Sequence, residues 1–264
     1  MNLKNSGLPP KQGLYDPQFE KDACGVGFVA RIDGTPSHDI VTKGITLLHN
    51  LEHRGATGAD PNTGDGAGIL IQLPDEFFRK EAAQNDLNLP PRGQYGVGMV
   101  FLPKDDDDPR PYEEIIENSV KDENLVFIGW RTVPTDGSVI GELARKNEPY
   151  VRQFFVGIND FKDQDGLELR LYVLRKVIEK RVVEHGRTHE DQGCYISSLS
   201  TRTLIYKGLV TPTQLPLFYP DVTDPEMKSA LALVHQRFST NTFPTWDRAH
   251  PYRYIAHNGE INTL

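Results

Sequence analysis

Apolar residues fall along this chain in short unbroken runs and in helical stripes, and the alternation between the two marks out its elements. Met1 to about Lys21 carries Pro, Gly, Lys and Asn without apolar periodicity and reads as a loose extension, with order beginning near Asp22. Gly25 to Ala30 predicts a buried strand. Asp39 to Glu52, with Ile40, Val41, Ile45, Leu48 and Leu51 at helical spacing, predicts an amphipathic helix. A Gly-rich loop from Gly55 to Gly66 feeds a strand over Ala67 to Gln72. Further strands are expected at Tyr95 to Leu102, Leu125 to Arg131 and Val151 to Val156, with helices over Asp75 to Ala83 and Tyr112 to Asp122. Leu167 to Glu184 predicts a long surface helix, Leu171, Leu174, Val177, Ile178 and Val182 facing inward and Arg170, Arg175, Lys176 and Lys180 facing solvent. Strands at Cys194 to Ser200, Thr203 to Tyr206, Leu231 to Arg237 and Tyr252 to Ala256 complete the set. Such alternation implies mixed α and β layers around shared cores. The chain stops at Asn262-Thr263-Leu264, directly after a strand and a turn, so a domain that continues past this point is expected.

Composition narrows the class. With 264 residues, 38% hydrophobic and 25% charged, the chain has material for one large or two ordinary cores. A net charge of −8 argues against a nucleic-acid partner, which normally meets a basic face. No apolar run reaches the roughly 18 residues of a membrane span, and the start lacks a secretion signal, so a soluble, cytoplasmic protein is expected. Only Cys24 and Cys194 occur, too few for a disulfide scaffold and without metal-ligand spacing. Each is read as a single thiol.

Cys24 follows Ala23 and precedes a strand, so cleavage after Ala23 would leave a thiol and a free amine on one residue. An α-amino group titrates near neutrality and can take the proton of its own thiol, which removes the need for a histidine base. The bland alternative is a small buried hydrophobe at a strand start.

Three blocks decide between these readings. They are Leu51-Glu52-His53-Arg54-Gly55-Ala56-Thr57 and its continuation to Leu70, His235-Gln236-Arg237-Phe238-Ser239-Thr240-Asn241, and Ala256-His257-Asn258-Gly259-Glu260-Ile261-Asn262. Together with Cys24 they resemble the class II glutamine amidotransferases, and the Leu51 to Leu70 block resembles the amidotransferase part of glutamate synthase large chains in particular. The long stretch between Cys24 and Arg237 is similar to that layout, being longer than in the compact members of the class. The resemblance implies an α+β fold, the four-layer α-β-β-α sandwich of the N-terminal nucleophile hydrolases, incomplete at its C-terminus. It divides the chain into a leader over 1–23 and a truncated amidotransferase domain over 24–264.

The resemblance also implies roles. Cys24 is the nucleophile toward the side-chain amide of L-glutamine. Asn258, through its side-chain amide, and Gly259, through its backbone N–H, are the oxyanion donors. Arg237, with Asn258 and Gly259, binds substrate, its planar fork suited to the α-carboxylate. Arg54 and Gly55 support the nucleophile. The chain itself is expected to carry no cofactor. FMN and an iron–sulfur cluster would belong to downstream synthase domains of a longer parent, served by a reductase subunit or ferredoxin, in the cytoplasm or in the plastid stroma if the parent is of plastid type.

Three features depart from the family pattern. Met1 to Ala23 is present, which locks the Cys24 amine in a peptide bond. The acidic residue expected to hold the substrate ammonium would follow the Asn-Gly pair, and the chain ends before it. Asn241 stands where compact relatives carry histidine. Other fragments read more plainly: Gly64 to Gly68 as a loop and not a phosphate cradle, Asp105 to Asp108 as a solvated turn, Cys194 as core, and the basic face of the long helix as solvent-facing. A different N-terminal-cysteine amidohydrolase and an inactive interaction module remain as alternatives.

Overall fold

The computed structural model of the protein describes residues 10–14, 16, 25–58, 60–104, 108–185, 194–239 and 242–257. Within them eight strands form two antiparallel four-stranded sheets. In chain order the first half comprises β1 (Val26–Ala30), α1 (His38–Asn50), β2 (Ala67–Gln72), α2 (Asp75–Gln84), β3 (Tyr95–Leu102), α3 (Arg110–Asp122) and β4 (Val126–Thr132). The second half comprises α4 (Glu142–Lys146), β5 (Tyr150–Gly157), α5 (Gln164–Glu184), β6 (Tyr195–Ser200), β7 (Thr203–Gly208), α6 (Leu215–Phe218) and β8 (Leu231–Gln236). The first sheet runs β1-β8-β2-β7 and the second β4-β5-β3-β6. This is the expected α+β arrangement of two sheets with covering helices.

β3 shows why the sheets form where they do. Its eight residues, Tyr-Gly-Val-Gly-Met-Val-Phe-Leu, are all buried, because both of its faces are covered. Tyr95, Val97, Met99 and Phe101 enter a core shared with Ile69, Tyr206 and Val234 of the first sheet, whereas Val100 and Leu102 enter a second core under α3 and α5. A Cβ at Gly96 would overlap Leu171 and one at Gly98 would overlap Phe154, so small residues let both layers close on this strand. α1 turns Ile40, Val41, Gly44 and Leu48 inward, packing on β1 and β8. α5 starts on Asp163, whose carboxylate accepts the Gly166 N–H at 2.7 Å, and buries Leu167, Leu171, Leu174, Ile178 and Val182. Each such side chain contributes about 1.5–3 kcal/mol by leaving water. Cys194 lies in this second core, and burial pushes its thiol up to about 12.

The two sheets are also joined by buried charge. Arg131 of β4, 4% exposed, donates from Nη1 and Nη2 to the two carboxylate oxygens of Asp221 at 2.8 Å each, and to Gln153 and Glu81. The Asp221 carboxylate also accepts the Tyr206 hydroxyl of the first sheet at 2.8 Å. Burial works against the guanidinium charge, but the Asp221 bonds and charge outweigh it and hold the group above its ordinary value.

Several expectations need correction. Tyr252 to Ala256 is not a strand: the Tyr252 N–H donates to the Ile255 carbonyl at 2.8 Å, closing a turn, and Tyr254 and Ile255 point outward. Arg175 is not on a solvent face but buried, paired with Glu179 and lying over the Tyr172 ring, while Leu169, Tyr172, Val173 and Val183 are exposed. Arg170 is likewise engaged, donating to the Glu123 carbonyl. Arg237 falls just past the end of β8, because its N–H donates to the Gly66 carbonyl at 2.8 Å where the ladder has already finished. The short α4 and α6 carry too few turns to show as apolar stripes. Of the acidic run, Asp105, Asp106 and Asp107 lie outside the described residues, and Asp108 pairs with Arg110 at 2.6 Å on the surface. Among the described residues no helix is long and apolar enough to cross a membrane.

After β8 the chain returns across the first sheet. Trp246 packs over Gly208, its indole N–H donating to the Ala144 carbonyl at 3.2 Å. His250 lies between the rings of His235 and Tyr252, with centroids 4.6 and 4.2 Å away. Burial, with the neighbouring His235, Lys207, His257 and Arg237, lowers its pKa to about 3.

Two outcomes follow for stability. Replacing Arg131 by methionine leaves the Asp221 carboxylate buried and unpaired, and lowers the unfolding free energy by about 3–5 kcal/mol in urea titration; adding Asp221→Leu recovers much of the loss. The depressed His250 pKa means that the unfolded chain binds a proton which the native fold excludes. Stability from neutral His250 is therefore full above the ordinary histidine range and is lost as pH falls from about 6.5 toward about 3. His250→Gln should flatten the acid side of the stability–pH curve by about one proton; an unchanged slope would show that the ring is not held neutral.

Candidate active site

The C-terminal end of β8 is the meeting point. Val26 of β1 pairs with His235, and the Gln236 N–H donates to the Gly25 carbonyl at 2.7 Å, so the residue following Cys24 sits one position from Arg237. On the other flank Ala67 of β2 pairs with Gln236, and Gly66 holds the Arg237 backbone. β8 is thus gripped on both sides just before it releases its arginine.

The loop ahead of β2 closes over this end. Leu51 terminates α1, and Glu52–Arg54 form one tight helical turn in which the Arg54 N–H donates to the Leu51 carbonyl at 2.8 Å. Arg54 is half-buried. Gly55 passes so close to Gln236 that a Cβ would overlap its side-chain amide. The Ala56 N–H then reaches the Arg237 carbonyl at 3.4 Å, and the Asp65 N–H donates back to the Ala56 carbonyl at 2.9 Å. The fold therefore sets Gly55 against the Gln236 side chain and Ala56 against the Arg237 backbone. Gly68 stands within β2 with no helix opening after the loop, so the Gly64 to Gly68 run does not have the strand-loop-helix form of a phosphate cradle.

Arg237 is partly enclosed. Its Nη2 donates to the Thr242 hydroxyl at 2.8 Å, while Nη1 is buried without a hydrogen-bond partner among the described residues. Burial lowers its pKa from the ordinary guanidinium value, and nearby Tyr252 and Asp65 oppose that effect. A guanidinium nitrogen kept from water and left unbonded is costly unless an anion completes it. Asp65 stands behind it, accepting the Ser239 N–H at 2.6 Å; burial raises its pKa against the pull of that N–H and of Arg237. The Asp65 bond fixes the chain immediately after Arg237.

Cys24, Asn258 and Gly259 lie outside the described residues. Their neighbours are located. Gly25 is bonded to Gln236, and the His257 carbonyl lies 3.0 Å from Nε2 of His235. Both ends of the expected site therefore approach the same strand. Among the described residues no group of His, Cys, Asp or Glu is placed to hold a metal ion.

Sequence reasoning passed over Asp65, His235, His250 and Lys207. Asp65 and His235 were visible only as members of the motif blocks, and Lys207 stands just past the strand expected over Thr203 to Tyr206.

The family model of the class-II glutamine amidotransferases matches residues 24–264. The chain is 51% identical over 97% of its length to the glutamate synthase [NADPH] large chain of Bacillus subtilis, covering 16% of that protein. It is 45% identical over 97% of its length to the glutamate synthase [NADH] of Saccharomyces cerevisiae, covering 12% of it. To ferredoxin-dependent glutamate synthase 1, chloroplastic/mitochondrial, of Arabidopsis thaliana it is 40% identical over 97% of its length, covering 16% of that relative. The chain thus spans a small part of the relatives it matches, and with a family model running from residue 24 to its last residue it belongs to the class-II glutamine amidotransferases.

Proposed function

We propose that this chain supplies the glutaminase half-reaction of a glutamate synthase. The carrying observation is the buried, unbonded Nη1 of Arg237, one position from the partner of Gly25. Removal of the leader over 1–23 frees the Cys24 amine, which takes the thiol proton. The thiolate then attacks the side-chain carbonyl carbon of glutamine. Arg237 holds the α-carboxylate through two charge-assisted bonds, and Asn258 with the Gly259 N–H receives the oxyanion. The amine returns its proton to the departing nitrogen, releasing ammonia and leaving a thioester on Cys24. Water, deprotonated by the same amine, cleaves the thioester to glutamate and regenerates the thiol. Arg54 and Gly55 hold the wall beside the nucleophile.

In the parent protein the ammonia passes to 2-oxoglutarate in downstream synthase domains, with FMN and an iron–sulfur cluster carrying electrons from a reductase subunit or ferredoxin. The relatives' names, which specify NADPH, NADH or ferredoxin, support such a parent. This chain does not itself suit the cluster: Cys194 is enclosed in the core with its thiol raised by burial, the opposite of a thiolate ligand. The domain works in the cytoplasm, or in the plastid stroma for a plastid parent.

The deciding experiment is release of ammonia from glutamine by material whose intact mass begins at Cys24. Cys24→Ala should abolish it; turnover that survives the substitution sinks the nucleophile assignment. Arg237→Lys keeps the charge but not the fork, and should raise KM for glutamine by about tenfold or more while kcat stays within about threefold. An unaltered KM would remove Arg237 from the carboxylate.

A further inference from the structure

Three neighbouring strands place Lys207, Gly68 and His235 in one row: Gly68 of β2 faces Lys207 of β7 on one side and His235 of β8 on the other. Lys207 and His235 are both 0% exposed. The return segment lies across this row. Nζ of Lys207 donates to the backbone carbonyls of Asp247 and Ala249, at 2.7 Å each, and to the Tyr195 hydroxyl at 2.9 Å. Its head group also sits over the rings of Tyr195 and Tyr252, 4.7 and 4.5 Å from their centroids. In the middle of the row, a Cβ at Gly68 would overlap the His250 carbonyl oxygen, so only glycine lets the backbone lie flat there. At the far end Nε2 of His235 meets the His257 carbonyl at 3.0 Å. A carbonyl can only accept, so this nitrogen carries the hydrogen.

Enclosing an ammonium group is expensive, and burial does push the Lys207 pKa well below its ordinary value. No carboxylate compensates it by direct contact among the described bonds; backbone carbonyls and one hydroxyl do. A methionine would fill the same space more cheaply if packing were the only need. The two carbonyl bonds instead tie one stretch of chain to the sheet, and the next residue after the His235 anchor is Asn258.

We propose that Lys207 and His235 are positioning residues which, through the carbonyls of Asp247, Ala249 and His257, fix the return segment up to the residue before the Asn258–Gly259 pair, with Gly68 leaving room for the chain between them. The inference rests on the reading of Asn258 and Gly259 as oxyanion donors. Misplacing such donors weakens transition-state stabilisation while leaving the Arg237 contact to substrate intact, so the loss appears in kcat and not in KM.

The test uses the chain after removal of 1–23, with intact mass beginning at Cys24, in wild-type form and as Lys207→Met, His235→Leu and His235→Gln, with steady-state glutaminase kinetics and amide hydrogen exchange. Lys207→Met and His235→Leu should each lower kcat by about tenfold or more with KM changed less than about threefold. Exchange should rise in 246–257 and stay unchanged in β3 and β5. His235→Gln keeps an N–H donor and should recover most of the kcat lost in His235→Leu, which a general packing defect would not allow. If Lys207→Met does not fold, the two His235 variants carry the decision. Wild-type kcat in the folded variants, unaltered exchange in 246–257, or equal damage from leucine and glutamine at 235 would each overturn the proposal. Glutamine turnover that survives Cys24→Ala would instead bring down the reading of the site, and the exchange data would then still report whether the anchors hold the segment.

Discussion

The pairing of β1 with β8 is the constraint from which the site follows. Val26 to Ala30 lie antiparallel to His235 to Leu231, which ties the first strand to one more than two hundred positions away. Closing so long a loop costs entropy, although the cost grows only slowly with length. α1 offsets it by covering both strands with Ile40, Val41, Gly44 and Leu48. Once that pairing is made, Gly25 and Arg237 are neighbours without any further instruction. The loop from Gly55 to Gly66 then has only one place to lie, against the Gln236 side chain and the Arg237 backbone.

Around this frame the fold treats buried charge in three ways. Arg131 is fully matched, with Asp221 satisfying its fork and Glu81 and Gln153 the rest. Lys207 is matched to backbone carbonyls and a hydroxyl, which places its pKa under pressure but spends its donors on holding the main chain. Arg237 is matched only in part, through Thr242. Complete pairing serves stability, whereas a partly matched cation keeps a donor open to a ligand, so the degree of satisfaction sets Arg237 apart from Arg131 and Lys207.

Much of the layout was legible in the sequence because its strands are unbroken apolar runs. Ala67–Gln72 and Tyr95–Leu102 fall where the pattern puts them, and α1, α2, α3 and α5 differ only at their ends. Tyr252 to Ala256 was misread because aromatic and branched residues favour strands, while here the side chains answer to tertiary contacts: Arg253 donates to the Ile196 carbonyl at 2.7 Å and Tyr252 lies against His250. Arg175 was misplaced because helical spacing cannot tell a solvent-facing cation from one tucked against Glu179 and Tyr172. At the site, Arg237 and Arg54-Gly55 stood out through the order of their motifs. Lys207 and His235 did not, since a bond from a side chain to a distant carbonyl leaves no mark on the identity of the residue that accepts it.

β1 occupies the margin of its sheet, with β8 as its hydrogen-bonded neighbour among the described residues. A peptide bond opened just ahead of Gly25 therefore unravels no ladder in the interior, and the strand stays seated by its single seam with β8 and by the helix lying over it. A change in the chain ahead of Gly25 would thus fall on the selvage of the sheet and not in its weave.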